Sequence, residues 1–268
     1  MNILVTIDGN YVRQLCVMLK SLRCSNQDEA LKLYILHRSL IPEDIGRISS
    51  LLDGDGIEIF PVPITEPEVE DAPTSARYPI EIYDRIYAGR YLPVDLKRVL
   101  YLDPDTIILR DLSELWTMDL GDSWFAAASH VREFGKAVNS IRLTSDLEGP
   151  YINTGVMLMD LQKMRENIDP SDVQRFINTH RYRMNLPDQD ILSALYGSHI
   201  FALDPFIYNM TERMLAPGKE QMAFRRSLDW VDSNTRIIHY VGRNKPWKPG
   251  YVGRLGVYYR KYSAMLLD

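Results

Sequence analysis

The chain is 268 residues long, 46% hydrophobic, with a net charge of −5 from 31 Lys and Arg against 36 Asp and Glu. That length supports one large α/β domain or two small ones with a sizeable core, and the lack of a basic excess argues against nucleic acid as a partner. Cys16 and Cys24 are too few for a disulfide scaffold or a zinc site, so a reduced, cytoplasmic setting is the simplest expectation. The N-terminus has no basic region and soon reaches Asp8, unlike a signal peptide, and no apolar run is long enough for a membrane span. The expectation is a soluble protein.

Residues 2–7 read as a buried strand leading into Asp8, Gly9, Asn10 and Tyr11. From Tyr11 to about Arg23, Val12, Leu15, Val17, Met18, Leu19 and Leu22 recur at helical intervals. Residues 31–37 are a second strand, and Pro42 opens a second helix with Ile45, Ile48, Leu51 and Leu52 inward. Residues 57–62 are a third strand. This alternation predicts a mostly parallel, doubly wound sheet, in which ligands bind beyond the carboxyl ends of the strands.

Residues 63–78, rich in Pro and acids, read as a long surface connection, although loops of that length can cover a site. Residues 80–92 read as a helix carrying Asp84 and Arg85. Residues 123–128 are another strand, and the polar stretch from about His130 to Pro150 reads as an excursion or flap. Residues 151–159 read as a strand with an internal Gly155, a sign of close approach by backbone or ligand. Helices follow at about 160–183 and 188–196, the latter with an acid-rich first turn around Asp188 and Gln189. After a short strand near Ile200, residues 204–235 read as irregular. A last strand, 236–240, runs into Gly242, Lys245 and Trp247, and residues 258–262 read as part of a closing helix.

The organising stretch is the apolar run Val99, Leu100 and Leu102, followed by Asp103, Pro104 and Asp105. Two carboxylates at the end of a buried strand are costly unless something positive sits on them. Pro104 restricts the backbone between them, so the acids are presented on a fixed turn. Such oxygen ligands suit Mg²⁺ or Mn²⁺, which commonly bridge to substrate phosphates; the competing reading is a turn with two solvated aspartates. His239 at a strand end could complete a metal site or be a structural histidine. Gly242 could let backbone approach a phosphate, and Lys245 could supply a point charge to it. Asp8, Asn10 and Tyr11 could read a nucleoside, or Asp8 or Asn10 could simply cap a helix start. Asp188 has the same capping alternative, and Arg85 could pair with phosphate or sit in a weak surface ion pair.

Taken together and in order, Asp8-Gly9-Asn10-Tyr11, Tyr101 to Thr106, Asn153-Thr154-Gly155, Pro187 to Asp190 and His239 to Trp247 resemble the family-8 retaining glycosyltransferases, the group that includes lipopolysaccharide galactosyltransferases and glycogenin. The resemblance spans nearly the whole chain. It implies a GT-A fold with a Rossmann-like central sheet flanked by helices, in one domain: a donor-binding half at about 1–110 and an acceptor and donor-sugar half at about 111–268. It further implies transfer of a hexose, galactose or glucose, from a UDP-sugar to a glycan, lipid-linked or protein-linked acceptor, with Mn²⁺ (or Mg²⁺) as cofactor.

Carried onto the matching positions, the resemblance implies Asp103, Asp105 and His239 as metal ligands, with Pro104 in the same cofactor-binding turn. It implies that Asp8, Asn10 and Tyr11, with Thr6 through its backbone, would bind uridine. Arg85, Gly242 and Lys245 match residues around the diphosphate and donor sugar. Asn153, Asp188 and Gln189 match positions around the sugar and its anomeric carbon, with Asp188 and Gln189 as the implied catalytic pair.

The chain departs from the family at Pro104, where a small residue or Thr is common, and at His130, where the galactosyltransferases have an acid near the acceptor. The basic, aromatic C-terminal tail that attaches some relatives to membranes is largely missing, so at most peripheral membrane association is expected. Two rivals stand beside this reading. One is a haloacid-dehalogenase-type phosphatase, whose Asp-x-Asp-x-Thr pattern residues 103–106 also satisfy, although that family carries it on its first strand. The other is a non-enzymatic carbohydrate-binding protein on a degenerate transferase fold.

Overall fold

The structure, a computed structural model, describes residues 1–75, 79–130, 133–143, 147–215 and 227–266. Its centre is a seven-stranded sheet of order β3-β2-β1-β4-β7-β6-β8. The strands are β1 (Asn2–Thr6), β2 (Leu31–His37), β3 (Ile57–Pro63), β4 (Arg98–Leu102), β6 (Phe125–Ala128), β7 (Val156–Asp160) and β8 (Ile200–Leu203). A separate antiparallel pair joins β5 (Thr106–Ile108) to β9 (Ile237–His239). The large sheet is parallel except at β7, which runs antiparallel to both of its neighbours. Among the described residues no helix is long and apolar enough to cross a membrane.

Both faces of the sheet are covered, which is why the central strands are apolar runs rather than alternating ones. On β4, Val99 and Tyr101 join the core on one face while Leu100 and Leu102 join the core on the other. β3 lies at the sheet edge and is largely uncovered, so Pro61 and Pro63 are tolerated there. A third apolar cluster, built from Ile107, Met210, Ile238, Leu255 and Tyr259, packs the small sheet against the closing helix Gly256–Ala264.

Topology places the site. β1 has β2 on one side and β4 on the other, so chain direction around the sheet reverses between β1 and β4. Connections leave such a switch point on opposite faces and open a crevice at the strands' carboxyl ends. Because β7 runs antiparallel to β4, with Leu102 opposite Val156, the residues before β7 return to that same end.

The expected strands and first two helices form as read, with Ile48 and Leu52 buried and Ile45 and Leu51 half-buried on the second. Several local expectations are corrected. Residues 80–92 are mostly a 3₁₀ segment, Ile80–Tyr87, followed by one α-turn, Ala88–Tyr91. The strand expected over 151–159 begins only at Val156, because Asn153 bonds back to β6 through its amide to Ala128 O (2.8 Å). The helix expected over 160–183 is two, Leu161–Asn167 and Pro170–His180, since Asp169 caps a new helix with Pro170 at its first position. The flap from His130 to Pro150 contains a helix, Glu133–Leu143; residues 131–132 and 144–146 lie outside the described residues. The 204–235 stretch holds three short helices, Pro205–Tyr208, Glu212–Leu215 and Leu228–Asn234, with 216–226 outside the described residues. Residues 76–78 of the long connection likewise lie outside them.

Candidate active site

A cleft of about 740 Å³ opens at the switch point, and the catalytic, cofactor-binding and metal candidates named from the sequence line it: Thr6, Asp8, Asn10 and Tyr11 from the end of β1; Arg85; Asp103, Pro104 and Asp105 after β4; Asn153; Asp188 and Gln189; His239 at the end of β9; and Gly242 and Lys245 beyond it. Their convergence is a property of the fold.

Its floor is the carboxylate turn. Asp103 N donates to Gly155 O (2.8 Å), and Thr106 closes the turn with its amide and hydroxyl on Asp103 O (3.1 and 2.9 Å). Thr106 then starts β5, where it sits opposite His239 of β9, and Tyr240 N donates to Asp105 O (3.0 Å). This ladder carries His239 from more than half the chain away onto the two acids. Its Nε2 lies 3.1 Å from Asp105 Oδ1 and 3.5 Å from Asp103 Oδ2. One ligand atom from each of Asp103, Asp105 and His239 falls within 4.8 Å of the others, a geometry that can hold a metal ion. Asp105 Oδ1 is buried, faces His239 Nε2 and makes no other hydrogen bond among the described residues, so a cation between the two would satisfy it.

Gly155 explains itself here. A Cβ at this position would overlap the His239 ring and lie 2.7 Å from Asp103 Oδ2, so only glycine lets β7's leading turn pass beneath the trio.

Charge on the floor is balanced by side chains. Lys245 forms an ion pair with Asp105 and donates to Tyr240 O (2.6 Å). Arg85 is buried; its Nη1 lies 3.1 Å from Asp103 Oδ1 and 3.3 Å from Asp188 Oδ2, and its guanidinium stacks over Tyr101 at 4.4 Å. The sequence alternative of a weak surface ion pair for Arg85 is therefore excluded: it ties the carboxylate turn to the helix that carries Asp188. Burial raises the Asp103 carboxyl, but Arg85, His239 and the Tyr101 hydroxyl (2.7 Å from Oδ1) outweigh it and hold it below the usual carboxylate range. Burial likewise opposes ionisation of Asp105, and Lys245 with His239 outweighs it, so its carboxyl is also lowered. For His239, burial lowers the pKa, but Asp105 and Asp103 outweigh it and raise the imidazole to about 9.

At Asp188 the balance goes the other way. Burial raises its carboxyl above the usual range despite Arg85 and a 2.6 Å hydrogen bond from Thr154 Oγ1. Asp188 stands in the first turn of the helix Pro187–Tyr196 without capping it. Asp190 instead reaches back to the residues before the helix: its Oδ2 accepts from the amides of Asn185 (2.8 Å) and Leu186 (3.2 Å). At the other end of the cleft Asp8 does cap, accepting from Asn10 N and Asn10 Nδ2, both at 3.0 Å. Tyr11 meets Trp247 edge to face at 6.2 Å, and Trp247 lies 5.3 Å from Tyr259, so the closing helix buttresses this wall. Gly242 has φ +90°, a conformation that strains any other residue.

Sequence reasoning missed three supporting groups. Tyr101 and Thr154 stood inside the quoted motifs, Tyr101 two residues before Asp103 and Thr154 directly after Asn153. Asn209, fully buried and bonded to both His239 and Asn153, came from the stretch read as irregular and gave no periodic or motif signal. His130, the position of the expected acid, is half-buried with Nε2 2.8 Å from Asn209 O; burial lowers its pKa to about 4, so it stays neutral.

Comparison with known proteins agrees with this geometry. The model of glycosyl transferase family 8 matches residues 2–249. General stress protein A of Bacillus subtilis is 28% identical over 252 residues, covering 92% of this chain and 87% of that protein. A lipopolysaccharide 1,2-glucosyltransferase of Escherichia coli K12 is 24% identical over 247 residues, covering 92% of this chain and 72% of that protein. The crystal structure of the galactosyltransferase LgtC with donor and acceptor sugar analogues superposes with a TM-score of 0.84 at 25% identity, covering 100% of this chain and 97% of that one. The chain is a member of glycosyl transferase family 8, with the GT-A type fold of its structural relatives.

Proposed function

We propose that the protein is a UDP-sugar-dependent, retaining hexosyltransferase that moves galactose or glucose to a carbohydrate-bearing acceptor. The observation that carries this is the Asp103, Asp105 and His239 trio on the floor of the cleft, joined through Arg85 to Asp188. The mixed oxygen and imidazole donor set favours Mn²⁺ over Mg²⁺. A bound divalent ion there would act as a Lewis acid on the diphosphate. The remaining work is done by side chains. Asp8, Asn10 and Tyr11, with Thr6, hold the uridine at the end of β1. Lys245 and the Gly242 amide offset the negative charge that builds on UDP as the sugar leaves.

Asp188 and Asn153 face the donor sugar, and the Asp188 carboxylate stabilises positive charge developing at the anomeric carbon. Gln189 beside it is a poor nucleophile, which favours attack of the acceptor on the face the leaving group departs from, with the leaving phosphate taking the acceptor's proton. A double displacement would need a carboxylate in that place. The chain works as one domain, in the cytoplasm, with at most peripheral membrane association.

The phosphatase alternative is not favoured: family and fold are those of a glycosyltransferase, and the Asp-x-Asp follows the fourth strand, not the first. A carbohydrate-binding protein without turnover is disfavoured by the intact acids. The test is UDP release from a panel of UDP-sugars with Mn²⁺, with and without EDTA. We expect an EDTA-sensitive signal with a single hexose donor, lost in Asp105→Ala. Tight UDP binding without release, in the presence of varied glycan acceptors, would support the binding-protein reading instead.

A further inference from the structure

We infer that Asn209 is a positioning residue that sets the orientation of both the metal-ligand imidazole and the sugar-facing amide of Asn153. This rests on the Mn²⁺ reading above and adds to it a residue that lines no part of the cleft. Asn209 is fully buried and makes two side-chain hydrogen bonds, to Asn153 Oδ1 and to His239 Nδ1, each 3.0 Å long. An amide between two such groups can be read in two ways, and a backbone group removes the ambiguity. Gly155 N–H can only donate, and it lies 3.2 Å from Asn153 Oδ1, so that atom is an acceptor.

The direction of every later bond follows. Asn209 must turn its Nδ2 toward Asn153 Oδ1, which leaves its Oδ1 facing His239. In the neutral form that can bind a metal, His239 therefore keeps its hydrogen on Nδ1, and the lone pair of Nε2 is directed at the space by Asp103 and Asp105. At the other end, Asn153 has spent its oxygen on Gly155 and Asn209, so the group it presents to the cleft is an NH₂ donor. The chain Gly155 → Asn153 ← Asn209 ← His239 thus links the metal ligand to the donor-sugar wall through directed hydrogen bonds. Asn209 is itself held from behind: its backbone oxygen accepts from His130 Nε2 at 2.8 Å, and its amide bonds to Pro205 O at 3.1 Å.

The experiment measures Mn²⁺ binding by calorimetry on EDTA-treated protein, and KM for the donor separately, in wild type, Asn209→Ala, Asn209→Asp and Asn153→Asp. Circular dichroism and thermal melting confirm that each variant folds. Removing an outer partner of a metal-bound histidine typically weakens the metal by about 10–100-fold, and that is expected for Asn209→Ala. Asn153→Asp keeps both acceptor bonds and loses only the donor NH₂, so it should bind Mn²⁺ as wild type does while its donor KM rises. Asn209→Asp keeps the acceptor for His239 but opposes Asn153 Oδ1 with a second oxygen, so the same split is expected; it also serves if Asn209→Ala does not fold. Wild-type Mn²⁺ affinity in folded Asn209→Ala, or weakened Mn²⁺ in either Asp variant, would overturn the inference while leaving the metal site standing. No Mn²⁺ binding by wild type would overturn both.

Discussion

Asp188 and Asp190 leave the same helix turn in different directions, and their surroundings separate a carboxylate that lines the cleft from one that holds the fold together. Asp190 is fully buried and completely engaged: Arg142 of the flap helix, the Tyr151 hydroxyl (2.6 Å) and the amides of Asn185 and Leu186 all donate to it. It holds three segments together and does not line the cleft. Asp188 has the same chemistry but fewer donors, the Thr154 hydroxyl, Arg85 and the Gln189 amide, and it lines the wall of the cleft. Its raised pKa says that burial is incompletely compensated in the resting chain. A carboxylate kept short of partners beside an open cleft is available to a developing positive charge; a carboxylate with four donors is not.

The largest effect should come where the cleft floor has no slack. Gly155→Ala pushes a methyl into His239 and Asp103, and since misplacements of about 1 Å can reduce catalysis ~10²-fold, UDP release should fall at least that much. Mn²⁺ titration of the same variant should show weakened binding; unchanged binding and rate would refute the close-packing account.

The paired acids give the sharper contrast. Asp188→Asn should lower turnover by about 10²-fold or more, the scale of a lost electrostatic stabiliser. Its stability should be unchanged or higher, because a carboxyl whose pKa folding raises contributes nothing favourable when ionised. Arg142→Ala should do the reverse, destabilising by roughly 3 kcal/mol by leaving Asp190 buried and unpaired, with a smaller loss of turnover. Urea midpoints beside initial rates decide it; a destabilised Asp188→Asn with normal turnover would invert the assignment.

A graded effect is expected with pH. Metal binding requires neutral His239, whose imidazole is held up at about 9 in the metal-free chain. Mn²⁺ affinity should therefore rise about tenfold per pH unit up to about 9, with roughly one proton released, readable as a buffer-dependent calorimetric heat. The linked contribution to metal-free stability has the opposite slope: a raised histidine pKa stabilises fully below about 6.5, and the benefit fades as pH rises through 9. An affinity flat between pH 6 and 8 would show that His239 is neutral before metal arrives. The smallest effect is reserved for a surface pair: breaking Arg175–Asp172, exposed on both sides, should leave the urea midpoint and turnover unmoved.

Much of this is legible in the sequence, and unevenly so. The first hundred residues could be read because each strand and helix there is set by local periodicity, and both faces of β4 being buried makes Val99 to Leu102 an uninterrupted apolar run. The motif residues were legible as a set because five short segments kept a family's order. Asn209 and Asp190 were not. A buried amide in a stretch of short helices carries no pattern, and nothing in Asp188-Gln189-Asp190 says which acid turns inward until Arg142 is known to meet Asp190. The long helix expected over 160–183 broke for a local reason that outweighs periodicity, the Asp169 cap with Pro170.

The sequence by itself determined the alternation of elements, the acids at a strand end and the family, because these depend on neighbours along the chain. Only the tertiary structure decided what those acids meet. The antiparallel return of β7 and the pairing of β9 with β5 bring Gly155 and His239 to Asp103 and Asp105, and the long-range contacts of Arg85 join Asp103 to Asp188. The physical reason is that a buried charge takes its ionisation state from groups within a few ångströms, and in this chain those groups come from segments far apart in sequence.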